Sequence, residues 1–130
     1  MPSKGGILGK FLLIAGLAGL IGVAAGALGE HLLAGQEPGQ HYFDLASRFL
    51  MIHAAVILGV TQLSRAGTGG WMVEAACWLF SLGMLLFGGG LLMLATVGLG
   101  GVQWLIPVGG VSLMLAWLLV AVIGIRRIAR

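Results

Sequence analysis

Four long apolar runs, separated by short links, leave this chain little choice of solvent or fold. They cover residues 9–28, 45–63, 71–97 and 104–125. A helix needs about 20 apolar residues to span a bilayer. Within hydrocarbon every backbone N–H and C=O must be satisfied internally, which a helix achieves by itself. The composition agrees, with 59% hydrophobic and 8% charged residues and a mean hydropathy of +1.08. A soluble domain carries about 25% charged residues, so this chain has too little polar surface to cover a water-soluble globule. The fold expected is all-α, an integral membrane antiparallel four-helix bundle in the lipid bilayer, with residues 1–130 as a single transmembrane domain.

The first run, "GKFLLIAGLAGLIGVAAGAL" (Gly9 to Leu28), has a basic start and an Ala-x-Ala-like end, the outline of a signal peptide. Its apolar stretch exceeds the 7–15 residues usual for such a segment, and a retained helix is expected. Orientation follows from lysine and arginine beside the spans. Lys4, Lys10, Arg65, Arg126, Arg127 and Arg130 fall on one side, and Arg48 on the other with Glu30, Glu37 and Asp44. Both termini are therefore expected in the cytoplasm. The formal net charge of +3 is spread over span ends and not gathered on one docking element, which excludes nucleic acid as a partner. The lone cysteine, Cys77, has no internal disulfide partner.

Helices in lipid associate through close approach and hydrogen bonds, since lipid tails are as apolar as leucine. The first run carries Ala18, Gly22 and Gly26 at four-residue spacing, and the third carries Gly88, Gly89 and Gly90. These six are expected helix-packing positions, either within the bundle or against a partner helix or second copy. Pro107 falls in the first turn of the fourth helix, where its missing N–H does little harm.

The stretch "RFLMIHAAVIL" (Arg48 to Leu58) places two ionisable side chains inside a span. Arg48 follows Asp44 by four residues, a spacing that allows an interfacial ion pair on one helix face. His53 is five residues further on, about 140° around the helix from Arg48. Counted from Leu45 it lies about 12 Å into the membrane. A buried imidazole needs a partner. With the first two helices antiparallel, Glu30 and His31 are the expected neighbours, giving a candidate polar site of His53, His31 and Glu30. Proton relay, haem or quinone contact and plain structure all remain open for it. His41, Tyr42 and Glu37 add polar groups to the first link, but no metal-ligand spacing emerges. Neither a metal nor a cofactor is expected. Glu74, near the start of the third helix, complements the helix dipole there. No catalytic constellation or phosphate-cradling glycine loop is present, and the chain is not expected to be an enzyme.

"GALGEHLL" (Gly26 to Leu33), "HAAVIL" (His53 to Leu58), "LFGGGLLMLATVG" (Leu86 to Gly98) and "IPVGGVSLMLAWLLV" (Ile106 to Val120) occur in that order. Together they resemble the small four-helix membrane proteins of domain-of-unknown-function family 423. His31 and His53 match the family's motif histidines, and Phe87, Gly89, Leu91, Pro107, Gly109, Gly110 and Trp117 match its later motifs. Glu30 stands where the family usually has alanine; Gly88, Gly90 and Leu92 replace two serines and a tyrosine. The resemblance implies a bacterial inner-membrane protein and no particular activity. The function expected is an accessory or stabilising subunit of a larger membrane complex, respiratory or redox among the options. The alternatives are a small transporter or channel component, or a cofactor-binding protein using His31 and His53. Other membrane subunits or a second copy are the expected partners.

Overall fold

The computed structural model describes residues 4–130, the Lys4 side chain excepted. Four helical spans account for most of it: α1 (Lys4–Leu32), α2 (Gly39–Arg65), a third made of α3 (Trp71–Gly83) and α4 (Gly89–Thr96), and α5 (Leu105–Ile128). A π-helical turn, Met84–Gly88, joins α3 to α4. No strand occurs among the described residues. Each span is long and apolar enough to cross a bilayer. Leu12, Leu13, Leu17, Leu20 and Val23 on α1, and Met114 and Leu118 on α5, are exposed. Such surface belongs against lipid, and this is an all-α membrane protein.

The first two helices are longer than their apolar runs. The link expected over residues 29–44 is mostly helical, because α1 continues to Leu32 and α2 begins at Gly39. Hydropathy marks where a helix meets hydrocarbon, whereas backbone bonding continues into the headgroup layer. Glu30 and His31 thus ride on the last turn of α1, and His41, Tyr42 and Asp44 on the first turns of α2.

Helix α1 lies along α2, and α2 also packs on α3 and α4, which pack in turn on α5. Helix α1 therefore sits at the edge of the bundle. Its seam with α2 is a glycine row. A Cβ at Gly22 would meet Leu50 and Met51; at Gly26, the Ser47 hydroxyl at 2.8 Å; at Gly29, the Phe43 Cβ at 3.0 Å. Ser47 Oγ donates 2.6 Å to the Gly22 carbonyl. That carbonyl is reachable because the residue one turn on, Gly26, has no side chain to lean back over it.

Across the bundle, α3 and α5 cross where their backbones nearly touch. A Cβ at Gly83 would lie 2.5 Å from the Leu113 side chain and 3.0 Å from the Gly109 carbonyl. A Cβ at Gly109 would run into the backbone N of Phe87 in the π turn. Ser112 Oγ donates 2.8 Å to the Leu79 carbonyl beside this crossing. The core between the helices is apolar, with Phe11, Ile57, Cys77 and Phe80 wholly buried.

Candidate functional site

The middle of α2 carries the most elaborate polar arrangement in the interior. His53 is 14 residues past Gly39, about 21 Å along a helix about 40 Å long. It is 5% exposed. Its Nδ1 donates 2.7 Å to the Phe49 carbonyl one turn back on α2. The Trp117 indole N–H on α5 donates to its Nε2 at 3.3 Å. One tautomer of the neutral ring satisfies both bonds, that with the proton on Nδ1. Aromatic rings enclose the imidazole: Phe49 at 5.5 Å, Phe80 at 5.7 Å and Trp117 at 6.1 Å between centroids. Phe80 meets Trp117 edge to face at 5.3 Å, and Phe49 leans on Phe87 of the π turn at 4.4 Å. With both nitrogens engaged, the ring presents no free lone pair to a metal or haem iron.

Glu30 and His31, named above as the neighbours of His53, are not brought to it. Both are exposed at the end of α1. The seam pairs Gly22 with Leu50 and Met51, Gly26 with Ser47, and Gly29 with Phe43. Glu30 is thus level with the start of α2, ten residues or about 15 Å from His53. His53 also points away from α1, towards α5. The partner it finds, Trp117, had a signal in the sequence. Tryptophan concentrates at membrane interfaces, so one in the middle of an apolar run is a donor in search of an acceptor.

The other singled-out residues separate by environment. Arg48 and Asp44 pair at 2.8 Å on the exposed face of α2, well away from His53. Lys10 and Glu74 pair at 3.4 Å across α1 and α3, with the ammonium 5.0 Å from the Trp78 ring. Glu74 therefore has a specific partner as well as a helix terminus, a contact that apolar patterning gave no hint of. No group of three or more histidine, cysteine or carboxylate side chains suited to a metal occurs among the described residues.

The six small residues divide. Gly22 and Gly26 face α2. Gly88 faces Leu50 of α2 at 2.9 Å, and Gly90 faces Ile106 of α5 at 2.8 Å. Gly89, rotated about 100° from each, has only Leu85 at 4.0 Å and looks outward. Together with Ala18 it lines an apolar groove of about 660 Å³ between α1 and the α3–α4 span. Ile14, Leu17 and Ile21 form one wall, and Leu82, Leu85 and Met93 the other.

The model of the family described as "Protein of unknown function (DUF423)" matches residues 25–110. The chain is 34% identical over 122 residues to the UPF0382 inner membrane protein YgdD of Escherichia coli, covering 90% of this chain and 91% of that one. It is 27% identical over 118 residues to the UPF0382 membrane protein YwdK of Bacillus subtilis, covering 89% and 96%. A UPF0382 membrane protein of Haemophilus influenzae is 27% identical over 114 residues, covering 86% and 90%. No solved structure matches.

Proposed function

We propose, from the premise that this chain belongs to the DUF423 family, that it is a non-enzymatic accessory protein of the bacterial inner membrane. Both termini are cytoplasmic in this reading, as the lysine and arginine distribution favours. Its work is to take a spanning helix of a larger membrane assembly into the groove between α1 and α3–α4. The groove is the observation that carries the reading. Ile14 to Ile21 on α1 and Trp78 to Met93 on the third span edge it, the latter over about 22 Å of helix axis. Small residues, Ala18 on α1 and Gly89 on the third span, set among large apolar ones on both walls are what close helix packing in lipid needs.

The competing readings draw less support. A transport path needs linked polar groups, and the buried ones here are separately occupied. Ser47 and Ser112 each bond a neighbouring helix, and Thr61 bonds the Leu58 carbonyl of its own. Cofactor ligation by His31 and His53 would require two residues at different depths, one of them bonded through both nitrogens.

Gly89→Leu tests the reading, because a side chain there enters the groove without striking the chain's own backbone. In membranes extracted with mild detergent, the wild-type chain should co-migrate with larger proteins on native gels. The variant should lose at least half of that population while keeping its thermal unfolding midpoint. A wild-type chain that runs at the mass of one or two copies would end the accessory reading.

A further inference from the structure

At the end of the bundle that carries α3's first residue and α5's last turn, the short link after α2 faces α5 across an open pocket of about 570 Å³. We propose that this pocket binds the phosphate group of an anionic lipid headgroup. Arg126 and Arg127 of α5 and Arg130 just past its end line one side of it, and Gly69, Gly70 and Trp71 the other. Arg127 reaches over to the Thr68 hydroxyl at 3.5 Å, which ties α5 to the link.

Three observations point to phosphate. The first is charge without compensation. Of the four side-chain carboxylates, Glu30, Glu37 and Asp44 belong to the opposite end of the bundle, and Glu74 is turned to Lys10. None lines the pocket, and among the described residues Arg126 and Arg130 have no ion-pair partner. The second is convergence. Arginines that merely set topology need only lie near a span end, whereas these three, two on the last turn of α5 and one just past it, border one pocket. Planar guanidinium groups are the side chains best matched to phosphate oxygens. The third is depth. Trp71, in the pocket wall, is 71% exposed at the start of α3, and Ile123 closes the pocket on its inner side. An exposed tryptophan at a span end marks the headgroup layer, and basic pockets between helices at that level favour anionic lipid. Free phosphate shares this chemistry, but the site opens where lipid phosphates are densest. The pocket shares no lining residue with the groove.

Native mass spectrometry of the full chain in detergent tests it, with phosphatidylglycerol and phosphatidylcholine of matched acyl chains as probes. The choline cation neutralises its own phosphate, so the wild type should favour phosphatidylglycerol by about a hundredfold. Each arginine should contribute about fivefold, the factor corresponding to roughly 1 kcal/mol per basic residue at an anionic surface. R126Q/R127Q/R130Q should bind both lipids equally within twofold, whereas Arg65→Gln, at the same end but outside the pocket, should keep the preference. If the triple variant does not accumulate, the single variants should each lose about fivefold. Displacement of bound phosphatidylglycerol by millimolar inorganic phosphate would keep the chemistry and move its source to solution. Equal binding of the two lipids by the wild type, or a preference untouched by the glutamines, overturns the proposal.

Discussion

Along α1, glycines at 22, 26 and 29 face α2 one turn after another, and each receives a side chain: Met51 with Leu50, Ser47, then Phe43. Where α3 meets α5, the glycines stand on both helices; Gly83 admits the Leu113 side chain and the Gly109 carbonyl, and Gly109 admits the backbone of the π turn. The two arrangements do different things. A row on one helix lets side chains of the other interdigitate over a long seam. A facing pair lets two helices touch at one point and diverge on either side. Flexible side chains can yield, but a backbone carbonyl or amide moves only if its helix moves. The seam should therefore tolerate added methyl groups far better than the crossing.

Alanine at each place is the most direct way to break that contrast. Gly109→Ala should lower stability by about 3 kcal/mol, since α5 must back away from the π turn. Gly22→Ala should lose only about 1 kcal/mol, because the closest neighbour, the Met51 side chain, has three rotatable bonds and can swing aside, while Leu50 Cβ at 3.2 Å and Met51 N at 3.3 Å need give only slightly. Detergent-induced unfolding in mixed micelles measures both. Equal losses would mean that the crossing is as pliable as the seam.

The aromatic cage adds a third connection, from α2 to α5 through His53 and Trp117. Trp117→Phe keeps a ring against Phe80 but removes the N–H, leaving His53 Nε2 without its donor. A loss of about 1–2 kcal/mol is expected, the range for a buried polar atom deprived of a partner. In the same unfolding assay, a variant as stable as the wild type would show that the indole contributes only its ring.

The two serine bonds should have the smallest effects. Ser47→Ala on the seam and Ser112→Ala at the crossing should each lose about 0.6 kcal/mol, the average for hydrogen bonds between spanning helices. Their coupling sharpens the comparison. In a Gly26→Ala background the methyl occupies the approach to the Gly22 carbonyl, so Ser47→Ala should then change stability by almost nothing further. Additive losses would show that Gly26 does not open that carbonyl.

Much was legible in the sequence, and the reasons are local. Residues 71–97 read as one span because hydrocarbon demands helix, and they are helical to Thr96. Asp44 and Arg48 read as a pair because four residues is one turn, and they lie 2.8 Å apart. The neighbours of His53 were not legible. Helix ends at Leu28 and Leu45 already set Glu30 level with residue 43, about 15 Å from His53, and the donor that His53 meets instead, Trp117, lies on α5, far along the chain.

What the sequence by itself determined is the solvent and the number of spans. Each of these depends on composition or on spacing along one helix. Only the tertiary structure decided which way each glycine looks. In a water-soluble bundle the buried stripe is apolar and the exposed one polar, so helix rotation is written in the pattern. Here lipid-facing Leu17 and core-facing Ile57 are equally apolar, and no periodicity distinguishes them. Rotation is settled instead by steric fit between helices. The consecutive glycines 88, 89 and 90 accordingly face α2, the groove and α5 in turn.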